Sequence, residues 1–481
     1  MADNSREIVL DTLLALEKGG EYSHRMIRAV LDKYDYLDIR DKSFIKRLTE
    51  GTIERQIELD YYLDAVSSLP VKKMKPLIRC LLRMSAYQLI YMDSVPDSAV
   101  CNEAVKLAGK KGFRTLKGFV NGVLRNLSER KGKLPLPDGK REPARFLSVK
   151  YSMPLWLAEL WLSEYGREVT ERLLVGLLQI HPVSLRFASK LSEQEREERV
   201  KQLRQSGAAP KVSPYLPFVY SVKHTDNIGM LPGFREGEYT VQDVSSALAV
   251  EAAGIKNTDF VMDVCAAPGG KSIFAAEKAA HVLARDVSYE KADIITENIT
   301  RMGAGNIEVQ IYDAADFDRN YQEKADVVLM DVPCSGLGVM GKKRDIKYHV
   351  TPEGLRSLTE LQRRIVDGSW RYVKPGGILL YSTCTINSYE NETMVKYISE
   401  ELPFDPVSLE GALPPVLWQQ KRESEMRREG CPASKQESSG EERTGSKIEL
   451  TEEQQASCIQ FLPGYMECDG FFIAKFRRRM S

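Results

Sequence analysis

The sequence predicts a multidomain chain with an all-α bundle, a small α/β connector and an α/β domain built on a mostly parallel, doubly wound sheet. The length of 481 residues exceeds what one hydrophobic core usually supports. Residues 6 to about 130 carry apolar side chains at helix spacing, and strand patterns alternate with helix patterns beyond residue 260. The predicted domains therefore span residues 1–145, 146–235 and 236–481.

Apolar stripes predict that the first domain is helical. The clearest stripe recurs at i, i+3, i+4, i+7, i+8 and i+11, and it consists of Leu116, Phe119, Val120, Val123, Leu124 and Leu127. The Pro- and Gly-containing segment Lys133–Gly139 indicates the end of the domain. Residues 101–150 hold 13 Lys and Arg against 4 Asp and Glu. Such an excess can bind nucleic-acid phosphates, although on charge alone a solvated helix face is the better explanation.

The connector mixes helix and strand patterns. We predict a helix around Leu155–Leu178, a strand over His181–Phe187 and a second helix over Ser192–Ser206. The turn sequence Leu231–Gly237 then separates the connector from the third domain.

Strand patterns in the third domain alternate with helix patterns, which predicts a mostly parallel sheet. The predicted strands are Phe260–Val264, Val282–Asp286, Ile307–Asp313, Val327–Asp331 and Ile378–Cys384, with a turn at Lys374–Gly377. Helices are predicted from Lys271, from Ser288, near Pro352–Tyr372 and from Ser388. Residues 419–447 are polar and charged, so we predict a disordered surface insertion there. A last buried strand is predicted over Glu467–Ala474.

The composition argues against several classes of protein. No apolar run approaches the roughly 20 residues that cross a bilayer, and the first residues lack a secretory signal, so we expect a cytoplasmic protein without membrane contact. The eight cysteines contain no Cys-x-x-Cys pair, and only five His are available. Neither a metal site nor a disulfide framework is therefore expected, and we expect a monomer with free thiols.

A Gly-rich turn after the first strand of the third domain indicates a nucleotide-like cofactor. Its residues are Cys265, Ala266, Ala267, Pro268, Gly269, Gly270 and Lys271. A phosphate loop is disfavoured because Cys265 stands where such a loop requires its first Gly. An adenosine that carries a methionine moiety fits better, with its carboxylate at the amino end of the next helix.

Four aspartates, Asp263, Asp286, Asp313 and Asp331, lie at the carboxyl ends of predicted parallel strands. Ligands bind outside that edge of an open parallel sheet. Asp286 can reach ribose hydroxyls and Asp313 the exocyclic amine of an adenine. For one Asp alone a helix N-cap is an equally good explanation, but four at one edge favour a cofactor.

Two cysteines near strand ends, Cys334 and Cys384, point to methylation of a pyrimidine. Carbon 5 of cytosine is a poor nucleophile, but addition of a thiolate to carbon 6 makes it reactive towards an electrophilic methyl group. A base must then remove the proton from carbon 5, and an acid near ring nitrogen 3 favours the first addition. Asp331, Cys334 and Cys384 supply a carboxyl group and two thiols. The alternative is that both cysteines are small buried hydrophobic residues.

At these residues the sequence resembles the RNA cytosine-C5 methyltransferases of the Sun/Fmu family, which is RsmB-type within the wider Nol/Nop/Sun group. The matching motifs are Asp263–Ser272, Asp331–Gly338, Asp345–Lys347, Tyr381–Thr385, Tyr239–Asp243 and Asp469–Phe472. Tyr87–Tyr91 and Phe119–Arg125 are similar to the NusB-like RNA-binding domain at the front of ribosomal members. Two departures are the absence of an Asn after Leu185-Arg186 and of a Pro in Ser388–Asn391.

The resemblance implies a Rossmann-like domain that uses S-adenosylmethionine as methyl donor, held by Cys265–Lys271, Asp286, Asp313 and Asp331. It implies Cys384 as the nucleophile and Cys334 as the residue that assists elimination. It also implies small-subunit rRNA as the partner, with activity of the 16S rRNA cytosine-967 type. Two alternatives stay open, namely the same chemistry on tRNA or 23S rRNA and a non-catalytic RNA-binding assembly factor.

Overall fold

A computed structural model gives the fold, and the chain forms two compact units. The residues that the structure describes are 4–19, 22–179, 182–223, 227–429 and 448–480. The first unit contains residues 1–171 and 342–349, and the second contains residues 172–341 and 350–481. The predicted fold class, a helical front followed by an α/β sheet domain, is confirmed. The domain boundaries at 145/146 and 235/236 stay predictions.

The first unit is helical, as its apolar stripes predict. Its helices are α1 (Ser5–Glu17), α2 (Ser23–Lys33), α3 (Ile39–Glu54), α4 (Gln56–Val66), α5 (Pro76–Tyr91), α6 (Asp97–Lys110), α7 (Lys117–Arg130), α8 (Pro143–Lys150) and the start of α9 (Leu155–Leu178). Val120, Val123, Leu124 and Leu127 of the predicted stripe are buried in its core. Gly166 interrupts α9 with a positive φ of 72°. Burial of one apolar face per helix thus holds this unit together.

Several basic residues from the positively charged stretch of the first unit form ion pairs. Lys110 lies 2.5 Å from Glu7, Lys111 lies 2.7 Å from Asp11, and Lys131 lies 2.7 Å from Asp97. Such surface pairs contribute little stability. They do reduce the local positive charge that residues 101–150 present.

The segment Lys342–His349 returns to the first unit from far along the chain. Lys347 is 2% exposed, and its Nζ donates to the backbone carbonyl oxygens of Glu54 (2.7 Å) and Ser152 (2.6 Å). Asp345 accepts a hydrogen bond of 2.6 Å from the Ser23 backbone N–H. A lysine buried at the carboxyl end of α3 satisfies carbonyl groups that the helix leaves without partners.

The second unit begins with a small antiparallel sheet in the order β2-β3-β1-β4. Its elements are β1 (Val183–Phe187), α10 (Glu193–Gln205), β2 (Lys211–Val212), β3 (Val219–Val222), β4 (Tyr239–Val241) and α11 (Val244–Ala253). A capping box between Ser192 and Glu195 starts α10. The predicted strand and helix of the connector are therefore present, with His181 lying outside the described residues.

An eight-stranded sheet forms the rest of the second unit. Its strands are β5 (Phe260–Asp263), β6 (His281–Asp286), β7 (Ile307–Ile311), β8 (Ala325–Asp331), β9 (Val373–Thr383), β10 (Phe404–Pro406), β11 (Cys458–Phe461) and β12 (Phe471–Arg478). Its helices are α12 (Gly270–Ala276), α13 (Tyr289–Met302), α15 (Pro352–Ser369), α16 (Glu392–Glu401), α17 (Pro415–Glu429) and α18 (Glu452–Ala456), while α14 (Ile346–His349) lies in the returning segment.

The strand order is β10-β12-β9-β8-β5-β6-β7, with β11 beside β12. Strands β7, β6, β5, β8 and β9 are parallel, whereas β12 runs antiparallel to β9, β10 and β11. The five predicted parallel strands are thus confirmed. The segment Lys374–Gly377, predicted as a turn, is instead the beginning of β9. Strands β10 and β11 are not among the predicted strands.

The predicted disordered insertion is wrong at its beginning, because residues 419–429 belong to α17. Burial of Leu417 and Trp418 anchors this helix to the second unit. Lys421 Nζ also donates to the backbone carbonyl oxygens of Gln455 (3.0 Å) and Cys458 (3.2 Å). These tertiary contacts compensate for a polar composition. The remainder of the insertion, residues 430–447, lies outside the described residues.

Candidate functional site

The carboxyl ends of neighbouring parallel strands bring most of the predicted site residues to one edge of the large sheet. Strands β5, β6 and β8 end at Asp263, Asp286 and Asp331, and β9 ends one residue before Cys384. In the register of β8 and β9, Asp331 lies opposite Ser382. The topology therefore places the residues that follow these two strands side by side.

A cavity of about 170 Å³ lies at this edge. Its lining residues are Val241, Gln242, Asp243, Ser246, Asp263, Cys265, Ala266, Ala267, Pro268, Gly270, Lys271 and Asp331. Gly269 directly precedes α12. Its φ is 100°, a backbone conformation that residues with a side chain rarely adopt. The predicted cofactor turn thus surrounds the cavity together with Asp331.

Asp331 is held from two directions. Its Oδ2 lies 2.6 Å from Lys271 Nζ, and its Oδ1 accepts a 2.8 Å hydrogen bond from Ser382 Oγ. The Lys271 and Asp331 side chains are 11% and 28% exposed. A partly buried ion pair of this kind fixes both side chains in the cavity wall.

Asp263 adds a second carboxylate to the cavity wall. Its Oδ2 accepts a 2.6 Å hydrogen bond from Ser272 Oγ, while its buried Oδ1 has no hydrogen-bond partner among the described residues. Burial raises the pKa of Asp263 to about 6. A buried carboxylate oxygen without a partner is costly, so this atom is suited to accept a hydrogen bond from a ligand.

Asp286, which the sequence predicts at the ribose, lies at the end of β6 but does not line the cavity. Its Oδ2 accepts a 2.9 Å hydrogen bond from the Ala267 N–H, and its Oδ1 contacts Val287 N (2.8 Å) and Lys291 Nζ (2.9 Å). Asp286 therefore supports the cofactor turn directly.

Asp313 is exposed and also lies outside the cavity wall. Its Oδ1 accepts a 2.9 Å hydrogen bond from the Ala315 N–H, the arrangement of a side-chain turn. The structure therefore brings Asp331 and the cofactor turn Cys265–Lys271 together around the cavity. It leaves Asp286 and Asp313 outside the cavity wall.

The two candidate catalytic thiols are in direct contact, with Cys334 Sγ 3.2 Å from Cys384 Sγ. The hydrogen bond between the thiols and burial raise the pKa of Cys334 well above the ordinary thiol range. The residues that directly follow the two cysteines are also in contact, since Ser335 Oγ lies 2.7 Å from Thr385 Oγ1. We call residues 332–338, which include Cys334, and residues 384–391, which include Cys384, the two cysteine loops. Two pairs of side chains thus join these loops.

Backbone contacts also join the two loops. The Gly338 N–H donates to the Cys384 carbonyl oxygen at 3.0 Å, and the Gly470 N–H donates to the Gly338 carbonyl oxygen at 2.9 Å. A Cβ atom at Gly338 would lie 2.0 Å from the Gly470 carbonyl oxygen. Glycine is therefore required at Gly338 for close approach of the chain segments.

Sequence reasoning missed part of the cavity wall. Gln242 and Ser246 line the cavity, and Arg186 Nε donates to Gln242 Oε1 at 2.6 Å. Arg186 is fully buried and lies 2.7 Å from Glu277. The match of Tyr239–Asp243 to a family motif was the available signal for Gln242. The Leu185-Arg186 pair, which lacks the usual Asn after it, thus supports the cavity through its Arg.

Other predicted properties concern metals, disulfides and membranes. No disulfide bond joins any two of the seven cysteines that the structure describes, and Cys431 lies outside the described residues. Among the described residues, no group of three or more His, Cys, Asp or Glu side chains could hold a metal ion. No helix in the described part of the chain is long and apolar enough to cross a membrane.

Comparison with known proteins gives two family matches. The family described as 16S rRNA methyltransferase RsmB/F matches residues 251–477, and the NusB family matches residues 3–129. A probable ribosomal RNA small subunit methyltransferase B from Bacillus subtilis is 31% identical over 98% of this chain and 98% of that protein. Its counterpart from Synechocystis is 32% identical over 82% of this chain and 88% of that protein.

Among solved structures, the crystal structure of PH0851 covers 99% of this chain and 100% of that chain, with a TM-score of 0.74 and 22% sequence identity. This likeness concerns the fold.

Proposed function

This chain belongs to the ribosomal RNA small subunit methyltransferase B family, and from that premise we propose that it methylates carbon 5 of a cytosine in 16S rRNA. The observation that carries the proposal is the 3.2 Å contact between Cys334 and Cys384, which follow the strands β8 and β9. A covalent attack on a pyrimidine ring requires one thiolate as the nucleophile, and a second thiol in contact with it can assist the later elimination.

We propose S-adenosylmethionine as the cofactor of the cavity. The residues fit this group, because the buried Asp263 Oδ1 has no hydrogen-bond partner among the described residues and residues of the turn line the same cavity as Lys271 and Asp331. Cys265–Lys271 and Asp331 would contact it in the cavity, while Asp286 towards the ribose and Asp313 towards the adenine amine would contact only parts of the cofactor that extend beyond the cavity wall. When bound, S-adenosylmethionine supplies an electrophilic methyl group.

Cys384 is the proposed nucleophile. Its thiolate forms a bond to carbon 6 of the cytosine, and the electron pair of the carbon 5–carbon 6 double bond moves towards carbon 5, which accepts the methyl group. Asp331 favours the addition as the acid near ring nitrogen 3: its carboxyl group gives that nitrogen a proton and is left as the carboxylate that pairs with Lys271. Lys271, 2.6 Å from Asp331, holds that carboxyl group in place.

Cys334 is proposed to assist the second half of the reaction. After methylation a base removes the proton from carbon 5, the double bond forms again, and the bond between carbon 6 and Cys384 breaks. The raised pKa of Cys334, caused by its hydrogen bond with Cys384 and by burial, suits a thiol that stays protonated during the attack. Cys384 and Cys334 thus have separate tasks.

We propose 16S rRNA as the substrate because a relative named for methylation of the small ribosomal subunit RNA matches this chain over nearly its full length. The test is bisulfite sequencing of rRNA and tRNA from a strain that lacks the gene. One cytosine of 16S rRNA should lose methylation, and wild-type protein but not Cys384→Ala should restore it. Loss in tRNA or 23S rRNA instead would assign another target, and restoration by Cys384→Ala would exclude the proposed chemistry.

A further inference from the structure

Glu390, in the loop that includes Cys384, is fully buried, and its carboxylate contacts both cysteine loops. Its Oε1 accepts hydrogen bonds from the Ser335 N–H (2.8 Å) and from Gln362 Nε2 (3.0 Å). Its Oε2 accepts hydrogen bonds from Ser335 Oγ (2.5 Å) and from Asn387 Nδ2 (3.1 Å). Four donors therefore saturate one carboxylate group in the interior of the second unit.

The donors to Glu390 come from both cysteine loops and from Gln362 of α15. Ser335 directly follows Cys334, and Gln362 Nε2 also donates to the carbonyl oxygen of Pro333, the residue before Cys334, at 2.9 Å. Asn387 lies three residues after Cys384. The carboxylate thus connects the chain on either side of Cys334 with the chain that follows Cys384.

Glu390 carries its buried carboxylate without an ion pair among the described residues. Within the described part of the chain, no Lys, Arg or His nitrogen forms an ion pair with this carboxylate. Burial of a carboxylate without a counter-ion is costly, and the cost is offset here by the four donors that the carboxylate holds. A buried carboxylate that contacts both cysteine loops in this way indicates a role in the reaction beyond packing.

We propose that Glu390 is a positioning residue for methyl transfer, which acts through Ser335 and Asn387 to hold the Cys334 and Cys384 thiols in contact. This inference rests on the proposed function, because it assigns Glu390 to the same reaction. The negative charge of Glu390 also acts on Cys334: after the hydrogen bond with Cys384, burial and the charge of Cys384, it is a further cause of the raised pKa of Cys334.

The Glu390→Gln variant tests the proposal because it keeps the shape of the side chain. In the variant, the amide oxygen of Gln can keep the two hydrogen bonds that Glu390 Oε1 accepts. The amide NH₂ group then replaces Oε2 and faces Asn387 Nδ2, which is also a donor, so that hydrogen bond is lost. Its matched control is Glu401→Gln, which makes the same charge change at an exposed position in α16. Both variants are compared with wild type in the full-length protein.

We expect kcat for methylation of 16S rRNA to fall roughly 10-fold to 100-fold in Glu390→Gln, as for a small displacement of reacting groups. The KM for RNA and the Kd for S-adenosylmethionine should stay within about twofold of the Glu401→Gln values, because Glu390 is fully buried and does not line the cavity. A kcat equal to that of the control would overturn the proposal. A change confined to KM or Kd would overturn it too.

A second variant keeps the test decisive if Glu390→Gln does not fold. Ser335→Ala removes the hydroxyl that contacts both Glu390 and Thr385 and leaves the carboxylate in place. We expect the same loss in kcat with unchanged KM, and an unaltered kcat in a folded Ser335→Ala protein would refute the positioning role.

Alkylation of the free enzyme by iodoacetamide, followed by site-resolved mass spectrometry, separates this inference from the proposed function. The ratio of alkylation rates at Cys334 and Cys384 should change in Glu390→Gln and stay at the wild-type value in Glu401→Gln. This readout requires no RNA. If wild-type enzyme failed to methylate 16S rRNA, the proposed function would fail, while the alkylation ratio would still decide whether Glu390 positions the thiols.

Discussion

Cys334 Sγ and Cys384 Sγ lie 3.2 Å apart, although 50 positions separate the two residues along the chain. The contact follows from the pairing of β8 with β9, in which Asp331 lies opposite Ser382. Cys334 comes three residues after Asp331, and Cys384 comes two residues after Ser382. A parallel strand pair therefore delivers both thiols and the carboxyl group to one place.

The two cysteines should fail differently when each is replaced by Ala. Cys384→Ala removes the attacking thiolate, so neither a covalent RNA adduct nor methylation should form. Cys334→Ala leaves attack and transfer possible and hinders release, so a protein-linked RNA band should accumulate on a denaturing gel. An adduct in Cys384→Ala alone would reassign the nucleophile to Cys334.

Replacement of Lys271 by Met should slow adduct formation. Lys271 Nζ lies 2.6 Å from Asp331 Oδ2, and removal of one partner leaves the other charge without compensation. In a Cys334→Ala background, the single-turnover rate of adduct formation should fall about 10-fold or more with Lys271→Met, and also with Asp331→Asn. Ser382→Ala, which removes only the 2.8 Å hydrogen bond to Oδ1, is the control and should have a smaller effect. Equal rates in all variants would contradict the role of the ion pair.

Substitution of Gly338 by Ala should impair activity and stability together. The new Cβ would lie 2.0 Å from the Gly470 carbonyl oxygen and 2.8 Å from the Cys384 carbonyl oxygen, so one of these segments must move. We expect a loss of about 1–3 kcal/mol in the free energy of unfolding, measured by denaturant titration, and reduced methyl transfer. Gly305→Ala is the control, since nothing lies within 4 Å of its Cβ position. A Gly338→Ala enzyme with wild-type activity would disprove the close approach.

Lys347 should make stability depend on pH. Burial lowers the pKa of Lys347 to about 7, whereas a lysine in the unfolded chain titrates near 10. Between these values the unfolded state binds more protons, so the free energy of unfolding rises with pH, by up to about 1.4 kcal/mol per pH unit. The rise should be present in wild type relative to Lys347→Met, measured by denaturant titration at several pH values. Parallel pH profiles of the two proteins would contradict a neutral buried lysine.

Two changes within residues 419–447 should affect the melting temperature differently. Replacement of residues 430–447 by a short Gly/Ser linker should leave the melting temperature and turnover nearly unaltered, because this composition cannot bury enough apolar area to offset ordering entropy. Deletion of residues 419–447 should lower the melting temperature, because it removes Lys421, which donates to the carbonyl oxygens of Gln455 and Cys458. Loss of activity in the folded first variant would indicate instead that residues 430–447 contact RNA.

Local sequence patterns were sufficient to predict the parallel strands and the residues at their carboxyl ends. Strands β5, β6, β8 and β9 contain runs of buried residues, and Asp263, Asp286, Asp331 and Cys384 lie at or directly after their carboxyl ends, so the direction of the strands alone predicts which edge binds a ligand. The same reasoning could not separate Asp331, which lines the cavity, from Asp286 and Asp313, which do not. That difference depends on the path of each loop after its strand.

The sequence by itself determined the helical front, the parallel sheet and the position of Cys334 and Cys384 after two of its strands, because helix and strand periodicity and strand-end residues are local properties. Only the tertiary structure decided that Glu390 reaches Ser335 across 55 positions, that Lys271 pairs with Asp331, and that Lys342–His349 packs in the first unit. The physical reason is that each contact joins segments distant in the chain. Hydrogen bonds and charge pairs leave no periodic signal in a single sequence, so their partners become known only when the chain is folded.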